Sequence, residues 1–178
     1  MAKAAEYGLG PQTFPRGWFI VAEKSELDAG PMAVTVFGRD FALYRGESGR
    51  PVMLDAYCAH MGTHLTAGHS AMIVRNGKQI EGDSIRCPYH AWTFRTDGSL
   101  LNTPVKEGYD GTAMRECESG QGLVVVPHVR DYRGFLFAKL NDVGPGFEEF
   151  FGESLSSIDN MADRSPEGEL AVAGGCLR

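Results

Sequence analysis

The sequence predicts an all-β fold, and three observations support that prediction. The chain of 178 residues contains 23 glycines and nine prolines, a composition that favours a turn-rich β protein over a helical bundle. Short runs rich in β-branched and aromatic residues alternate with turn signals, and no helix is expected before residue 145. Hydrophobic residues make up 43% of the chain, which is enough for a packed core.

The predicted strands follow one another along the chain. Two β-rich runs, 32–37 and 41–45, lie on either side of a three-residue connection, which indicates a hairpin. A third strand, 52–57, ends directly before Cys58. Further strands are predicted at 84–87, 91–95, 122–126 and 134–140.

The last part of the chain has a different character. Three phenylalanines fall on one side of the segment 147–161, which predicts one or two short helices there. Residues 168–178 have the composition of a strand that stops early.

Charge and hydropathy argue against two kinds of partner. Seventeen basic and 23 acidic residues give a formal charge of −6, whereas a nucleic-acid binder needs a basic face. No apolar run has the length of a membrane span, and the first residues lack the apolar stretch of a signal peptide. We therefore expect a cytoplasmic protein that binds neither nucleic acid nor membrane.

Two short loops carry soft metal ligands. One residue separates Cys58 from His60, and two residues separate Cys87 from His90. In a reducing compartment such cysteines serve as metal ligands more often than as disulfide partners. The two other cysteines have no histidine close downstream and are interpreted as bystanders: Cys117 and Cys176.

Two kinds of metal centre fit this ligand set. Structural zinc sites usually draw each ligand pair from one residue type, so a thiolate and an imidazole in each loop make zinc the weaker alternative. A binuclear iron–sulfur cluster explains the pattern better, since one iron takes both cysteines and the other takes both histidines. Replacing two thiolates by neutral imidazoles raises the reduction potential from about −400 mV to roughly −150 to +300 mV.

The loops CAHMGTHL and CPYHAWTF resemble the Rieske [2Fe-2S] motif. Their surroundings, PRGWFIVAEKSEL, DGSL and YRGFLFAKL, are similar to the N-terminal domain of the α subunit of Rieske non-haem-iron ring-hydroxylating oxygenases. The similarity extends over about residues 14–178. It implies that a Rieske-type [2Fe-2S] cluster is held by Cys58, His60, Cys87 and His90.

The same resemblance implies a domain organisation. Residues 1–178 would form a single Rieske domain, an antiparallel β-sandwich with a small cluster-binding lobe at approximately 56–104 inserted in a β base. Residues 145–178, with their short helices, would extend toward a catalytic domain that this sequence does not include.

Two departures from related proteins are visible in the loops. Rieske proteins of cytochrome complexes carry one extra cysteine in each loop, joined as a disulfide, but here those positions hold Thr63 and Tyr89. This difference favours the oxygenase branch. The gap between His60 and Cys87 is longer than is usual in the oxygenases, and Asn76-Gly77 at its centre predicts an extra hairpin at about 70–82.

The resemblance also implies partners. Family members take electrons from a ferredoxin or flavin reductase and pass them to a mononuclear iron, which needs two histidines and a carboxylate. No histidine follows residue 140, so these residues are expected to transfer electrons and not to hydroxylate a ring. The favoured hypothesis is the Rieske domain of a dioxygenase α subunit, whose iron lies in a further domain or a neighbouring subunit. A stand-alone Rieske ferredoxin is the alternative.

Other residues near the loops receive simpler interpretations. Trp92 either covers the cluster or is an ordinary core residue, and Tyr89 is expected to pack. Three further histidines are interpreted as polar loop or surface residues: His64, His69 and His128.

Overall fold

A computed structural model describes residues 17–36, 38–46, 49–67, 84–112 and 122–171, and the backbone alone at 74–75 and 78–79. Antiparallel strands dominate this part of the chain, which confirms the predicted all-β class. None of the described helices is long and apolar enough to cross a membrane.

One sheet of the base has the order β2-β3-β4 and is formed by Met32–Val36, Arg39–Arg45 and Pro51–Asp55. Its central strand is buried on both faces, because the second sheet of the base lies on one side and a smaller lobe lies on the other. Phe41 and Leu43 face the base, whereas Ala42 and Tyr44 face the lobe. This alternation is the two-residue period of a strand.

The second sheet of the base has the order β1-β11-β10 and is formed by Phe19–Glu23, Phe135–Lys139 and His128–Tyr132. Apolar residues of both sheets form one core, including Ala22 and Leu136 from this sheet and Leu43 and Met53 from the other. The two sheets therefore pack face to face as a sandwich.

The lobe, residues 56–67 and 84–104, lies on the outer face of β3 and β4. Its sheet has the order β7-β8-β9 and consists of Ser84–Arg86, Thr93–Arg95 and Leu100–Asn102. Leu65, Ile85 and Phe94 are fully buried against Tyr44 and Leu54 of the base. A separate two-stranded hairpin, β5 (Val74–Arg75) and β6 (Lys78–Gln79), pairs 74 with 79 and 75 with 78.

Two short helices follow the base, α1 (Phe147–Phe151) and α2 (Leu155–Ala162), with a 3-10 turn at Gly152–Ser154 between them. Phe147 is 2% exposed and packs with Trp18 and Phe137. Arg133 of the β10–β11 turn contacts α2 through Asp159, at 2.8 Å.

Most predicted elements are confirmed. The hairpin of 32–37 and 41–45 forms, but β3 begins at Arg39, so the predicted three-residue connection is wrong. The strands at 52–57, 84–87, 91–95 and 134–140 and the helices in 147–161 are present, with slightly different bounds. The hairpin within 70–82 is confirmed by its backbone pairing, while its turn residues, 76–77, lie outside the described part of the chain.

Three predictions need correction. The run 122–126 makes an isolated bridge from Val125 to Leu54 instead of a regular strand. The Leu123 N–H donates to Gly98 of the lobe, and Pro127, directly after the run, has no N–H with which to extend a ladder. The expectation of no helix before residue 145 is wrong, since 3-10 helices form at Lys24–Ala29 and Lys106–Tyr109. These 3-10 helices, of six and four residues, are too short to produce helical periodicity. Residues 168–171 form no strand, and the rest of that predicted strand lies outside the described residues.

Candidate metal centre

The first loop leaves β4 and folds back on its own cysteine. The Cys58 N–H donates to the Thr63 carbonyl at 2.8 Å, and the Gly62 N–H donates to the Cys58 carbonyl at 2.9 Å. Gly62 has φ +68°, a left-handed conformation that glycine adopts without strain. An isolated bridge between Tyr57 and His64 closes the base of the loop, so that residues 59–62 lie at its tip.

The second loop closes on its cysteine in the same way. The Cys87 N–H donates to the Trp92 carbonyl at 2.7 Å, and the Ala91 N–H donates to the Cys87 carbonyl at 3.1 Å. Ala91 has φ +59°, which lets the chain turn sharply after His90. In both loops, therefore, the cysteine lies in the lobe core and the histidine lies at the tip.

The two thiols lie together in the core of the lobe. Cys58 and Cys87 are each 3% exposed and are not joined by a disulfide. Both belong to the same buried cluster, and the Cys58 sulfur lies near Cys87 and the backbone N–H groups of His60 and Met61. Burial, reinforced by the neighbouring Cys87, raises the pKa of Cys58 to about 11 despite those N–H groups.

The two imidazoles form a second pair beside the thiols. The ring centroids of His60 and His90 are 4.8 Å apart, with an angle of 71° between the ring planes. Desolvation by burial, and secondarily the proximity of His90, lowers the pKa of His60. Both side chains are half-buried.

This arrangement of donors fits a binuclear centre. Within the described ranges, no three His, Cys, Asp or Glu side chains are grouped around one point as a mononuclear site requires. Instead a thiol pair lies next to an imidazole pair, as one iron with two cysteines and another with two histidines would require. The N–H groups directed at the Cys58 sulfur suit a thiolate ligand, because they stabilise negative charge on sulfur.

Aromatic residues enclose the imidazole pair on one side. Trp92 is 1% exposed and stacks on the His60 ring, so it is both a core residue and a cover for the candidate centre. Tyr109 contacts both rings edge-on. Sequence reasoning missed Tyr109, because it lies 17 residues beyond Trp92 and only the tertiary fold brings the two together.

The remaining sequence predictions have mixed outcomes. The His64 Nδ1 accepts a hydrogen bond from the Thr66 N–H at 3.2 Å, in keeping with a polar loop residue. Tyr89 is 64% exposed and contacts only its neighbour His90 among the described aromatic rings, so it packs less than predicted. His128 is half-exposed and pairs with Asp142 at 3.0 Å. Three residues lie outside the described part of the chain: His69, Cys117 and Cys176.

Comparison with known proteins identifies the family. The family model for the Rieske [2Fe-2S] domain matches residues 17–128. A cholesterol 7-desaturase of Ciona intestinalis is 40% identical over 98 residues, 54% of this chain and 19% of that protein. The α subunit of toluate 1,2-dioxygenase of Pseudomonas putida is 32% identical over 164 residues, 90% of this chain and 34% of that protein. Naphthalene 1,2-dioxygenase from Rhodococcus sp., solved with bound indole, is 24% identical and has a TM-score of 0.62 over 85% of this chain and 32% of that chain.

The chain therefore belongs to the Rieske [2Fe-2S] domain family. Its cofactor is the Rieske-type [2Fe-2S] cluster that gives the family its description. The sequence spans 19% to 34% of the length of these three relatives, so it corresponds to their Rieske part only.

Proposed function

We propose that this chain is the electron-transfer domain of a ring-hydroxylating oxygenase α subunit. It receives electrons from a ferredoxin or flavin reductase and passes them to a mononuclear iron in a further domain or a neighbouring subunit. The observation that carries this proposal is the thiol pair Cys58 and Cys87 beside the imidazole pair His60 and His90.

The ligand assignment is part of the proposal. Cys58 and Cys87 bind one iron, and His60 and His90 bind the other. When bound, the cluster supplies a centre that accepts and releases one electron at a time. The near-complete burial of both thiols supports the assignment, because it keeps water from the cysteine side of the centre.

The protein contributes an uncharged tip through which electrons enter and leave. Residues 59–64 and 88–91 contain no Asp, Glu, Lys or Arg. Met61 and Tyr89 are 65% and 64% exposed and lie next to the two histidines in sequence. A partner can therefore approach the imidazole side without burying an unpaired charge.

The proposed domain organisation is based on how much of the chain is similar to its relatives. The lobe at approximately 56–104 holds the cluster, and residues 145–178 lead toward the catalytic part. The similarity to the toluate dioxygenase α subunit covers 90% of the chain, whereas that to the cholesterol desaturase covers 54%. This longer similarity disfavours a stand-alone ferredoxin, which would leave 145–178 without a function. A cytoplasmic location is proposed because metal-ligand thiols suit a reducing compartment.

Anaerobic reconstitution with iron and sulfide tests the proposal. We expect a coloured protein with about two irons and two acid-labile sulfides per chain. Pulsed EPR of the reduced protein should detect two strongly coupled nitrogens, one from each histidine. A colourless protein, or one that binds a single zinc ion, would refute the proposal.

The choice of electron donor is tested separately. A ferredoxin reduced beforehand and a flavin reductase supplied with NADH are each mixed anaerobically with the oxidised domain, and bleaching of the cluster absorption is followed by stopped flow. We expect rapid reduction by one of them. Failure with both would contradict the partner assignment while leaving the cluster assignment intact.

A further inference from the structure

The two imidazoles of the candidate centre have different surroundings. The Trp92 indole lies parallel to the His60 ring, with 4.7 Å between ring centroids and 5° between planes. Such a stack restricts rotation of the imidazole out of that plane, because tilting would drive the ring into the indole face. Trp92 is itself 1% exposed, so it cannot move aside without disturbing the lobe core.

Tyr109 completes the enclosure from a distant part of the chain. Its ring is edge-on to both partners, with centroids 6.1 Å from His60 and 6.2 Å from Trp92. The Trp92 Nε1–H donates to the Tyr109 hydroxyl at 3.4 Å, which gives the buried indole a hydrogen-bond partner. Tyr109 therefore contacts the imidazole directly and also supports the indole that stacks on it.

Tyr109 lies at the end of a segment with a strained backbone. It ends the 3-10 helix Lys106–Tyr109, which follows Val105 in the left-handed conformation at φ +54° and ψ +52°. A β-branched residue adopts that conformation only when its surroundings enforce it. The buried Thr103, 2% exposed, fixes the chain just before this turn.

His90 lacks a comparable enclosure. Within the described residues its ring contacts are His60, at 4.8 Å, and its own neighbour Tyr89, at 3.7 Å. Tyr89 is 64% exposed, so the ring beside His90 is not itself held in place by the lobe core, as Trp92 is. The protein thus fixes one imidazole and leaves the other adjustable.

We propose that Trp92 and Tyr109 form an aromatic clamp, which positions the His60 imidazole and makes the two histidine ligands inequivalent. The inference rests on the proposed ligand assignment. Groups that surround a ligand set its ring orientation, and orientation controls how far unpaired spin spreads onto the ligand nitrogen. In the reduced protein, the His60 nitrogen should have one sharply defined coupling, and the His90 nitrogen a broader one.

Substitutions that remove or retain the flat ring test the clamp. Trp92→Leu keeps an apolar side chain in the core but removes the stacking face, whereas Trp92→Phe retains a planar ring. We expect Trp92→Leu to broaden or shift one of the two nitrogen couplings and leave the other unchanged. Trp92→Phe should restore the wild-type spectrum. Trp18→Phe is the matched control, because Trp18 is also buried but lies in the core beside Phe147.

Tyr109→Leu provides a second test of the aromatic clamp in case the Trp92→Leu protein does not bind a cluster. Tyr109 is half-buried, so its loss disturbs the core less, and the same single nitrogen coupling should change. Unchanged couplings in a cluster-loaded Tyr109→Leu or Trp92→Leu protein would overturn the clamp. Failure of the wild-type protein to bind a cluster would instead overturn the proposed function, so the two failures are distinguishable.

Discussion

The ring centroids of His60 and His90 are 4.8 Å apart, although the two histidines come from different loops of the lobe. The thiols of Cys58 and Cys87 meet in the core directly below the same loops. Each loop therefore contributes one member to each pair. This crosswise distribution explains why each motif combines one cysteine with one histidine.

Removal of either core thiol should abolish the cluster. We expect Cys58→Ser and Cys87→Ser to lose most of the visible absorption and bound iron after reconstitution, since a serine hydroxyl is a poor replacement for a thiolate ligand. Iron and sulfide assays on purified protein measure the effect. Cys117→Ser is the control and should retain the wild-type spectrum. Bleaching by Cys117→Ser would show that the ligand assignment is wrong.

The presence of one cysteine and one histidine in each of the two loops could be predicted from the sequence because each grouping is local. Spacings of one and two intervening residues place Cys58 with His60 and Cys87 with His90 whatever the rest of the fold. The strand β3 could be predicted for a similar reason, since Phe41 to Tyr44 are buried on both faces and form a continuous apolar run.

The missed elements depend on distant contacts. Neither β1 nor β10, the two edge strands of their sheet, is among the strands predicted from the sequence. Ile20 of β1 is 55% exposed, and Arg130 and Asp131 interrupt the apolar pattern of β10, so neither has a core strand's signature. Tyr109 could not be predicted either, because it approaches His60 only after the chain has crossed the lobe.

Gly98 joins the lobe to the base and should tolerate no side chain. The Leu123 N–H donates to the Gly98 carbonyl at 2.8 Å, and a Cβ at Gly98 would lie 2.1 Å from the Leu123 carbonyl oxygen. We expect Gly98→Ala to lower the free energy of unfolding by about 3 kcal/mol or more, from steric overlap added to strain at φ +80°.

Gly111→Ala is the matched control for that substitution. Gly111 has φ +74°, but a Cβ there would meet no atom within 4 Å. It should therefore lose only the strain energy of a left-handed alanine, about 1 kcal/mol. Equal losses in urea denaturation of the Gly98 and Gly111 variants would contradict the tight junction between Gly98 and Leu123.

Ala91 stores backbone strain beside the second loop, and relieving it should stabilise the protein. At φ +59° an alanine is less favourable than a glycine, so Ala91→Gly should raise the free energy of unfolding by about 1 kcal/mol. Ala59→Gly makes the same change in the first loop, at a residue whose φ is not positive. That control should lose about 0.5 kcal/mol from chain entropy. Thermal unfolding of both variants, without cluster, gives the comparison, and a gain in both would rule out the strain explanation.

Asp159 should make the attachment of α2 sensitive to acid. The Tyr132 hydroxyl, which donates to Asp159 at 2.7 Å, holds the pKa of this carboxyl below its ordinary value of 3.8, and Arg133 acts in the same direction. A carboxyl whose pKa is lowered by folding stabilises the protein at pH values above its unfolded pKa, and that stabilisation disappears as the pH falls through the folded pKa. Asp159→Asn should therefore reduce stability most near neutral pH, and its difference from the wild type should shrink below about pH 4.

Urea denaturation of the wild type and the variants over a range of pH measures this dependence. Tyr132→Phe removes the larger cause of the lowered Asp159 pKa while keeping the ring against Phe147, so its loss of stability should also shrink in acid. Asp163→Asn removes a second carboxylate from Arg133, at 3.1 Å, and leaves the Tyr132–Asp159 hydrogen bond in place. It should follow the wild-type dependence on pH more closely than Asp159→Asn does. A stability difference for Asp159→Asn that stays constant from neutral to strongly acid pH would mean that the carboxylate contributes nothing through its charge.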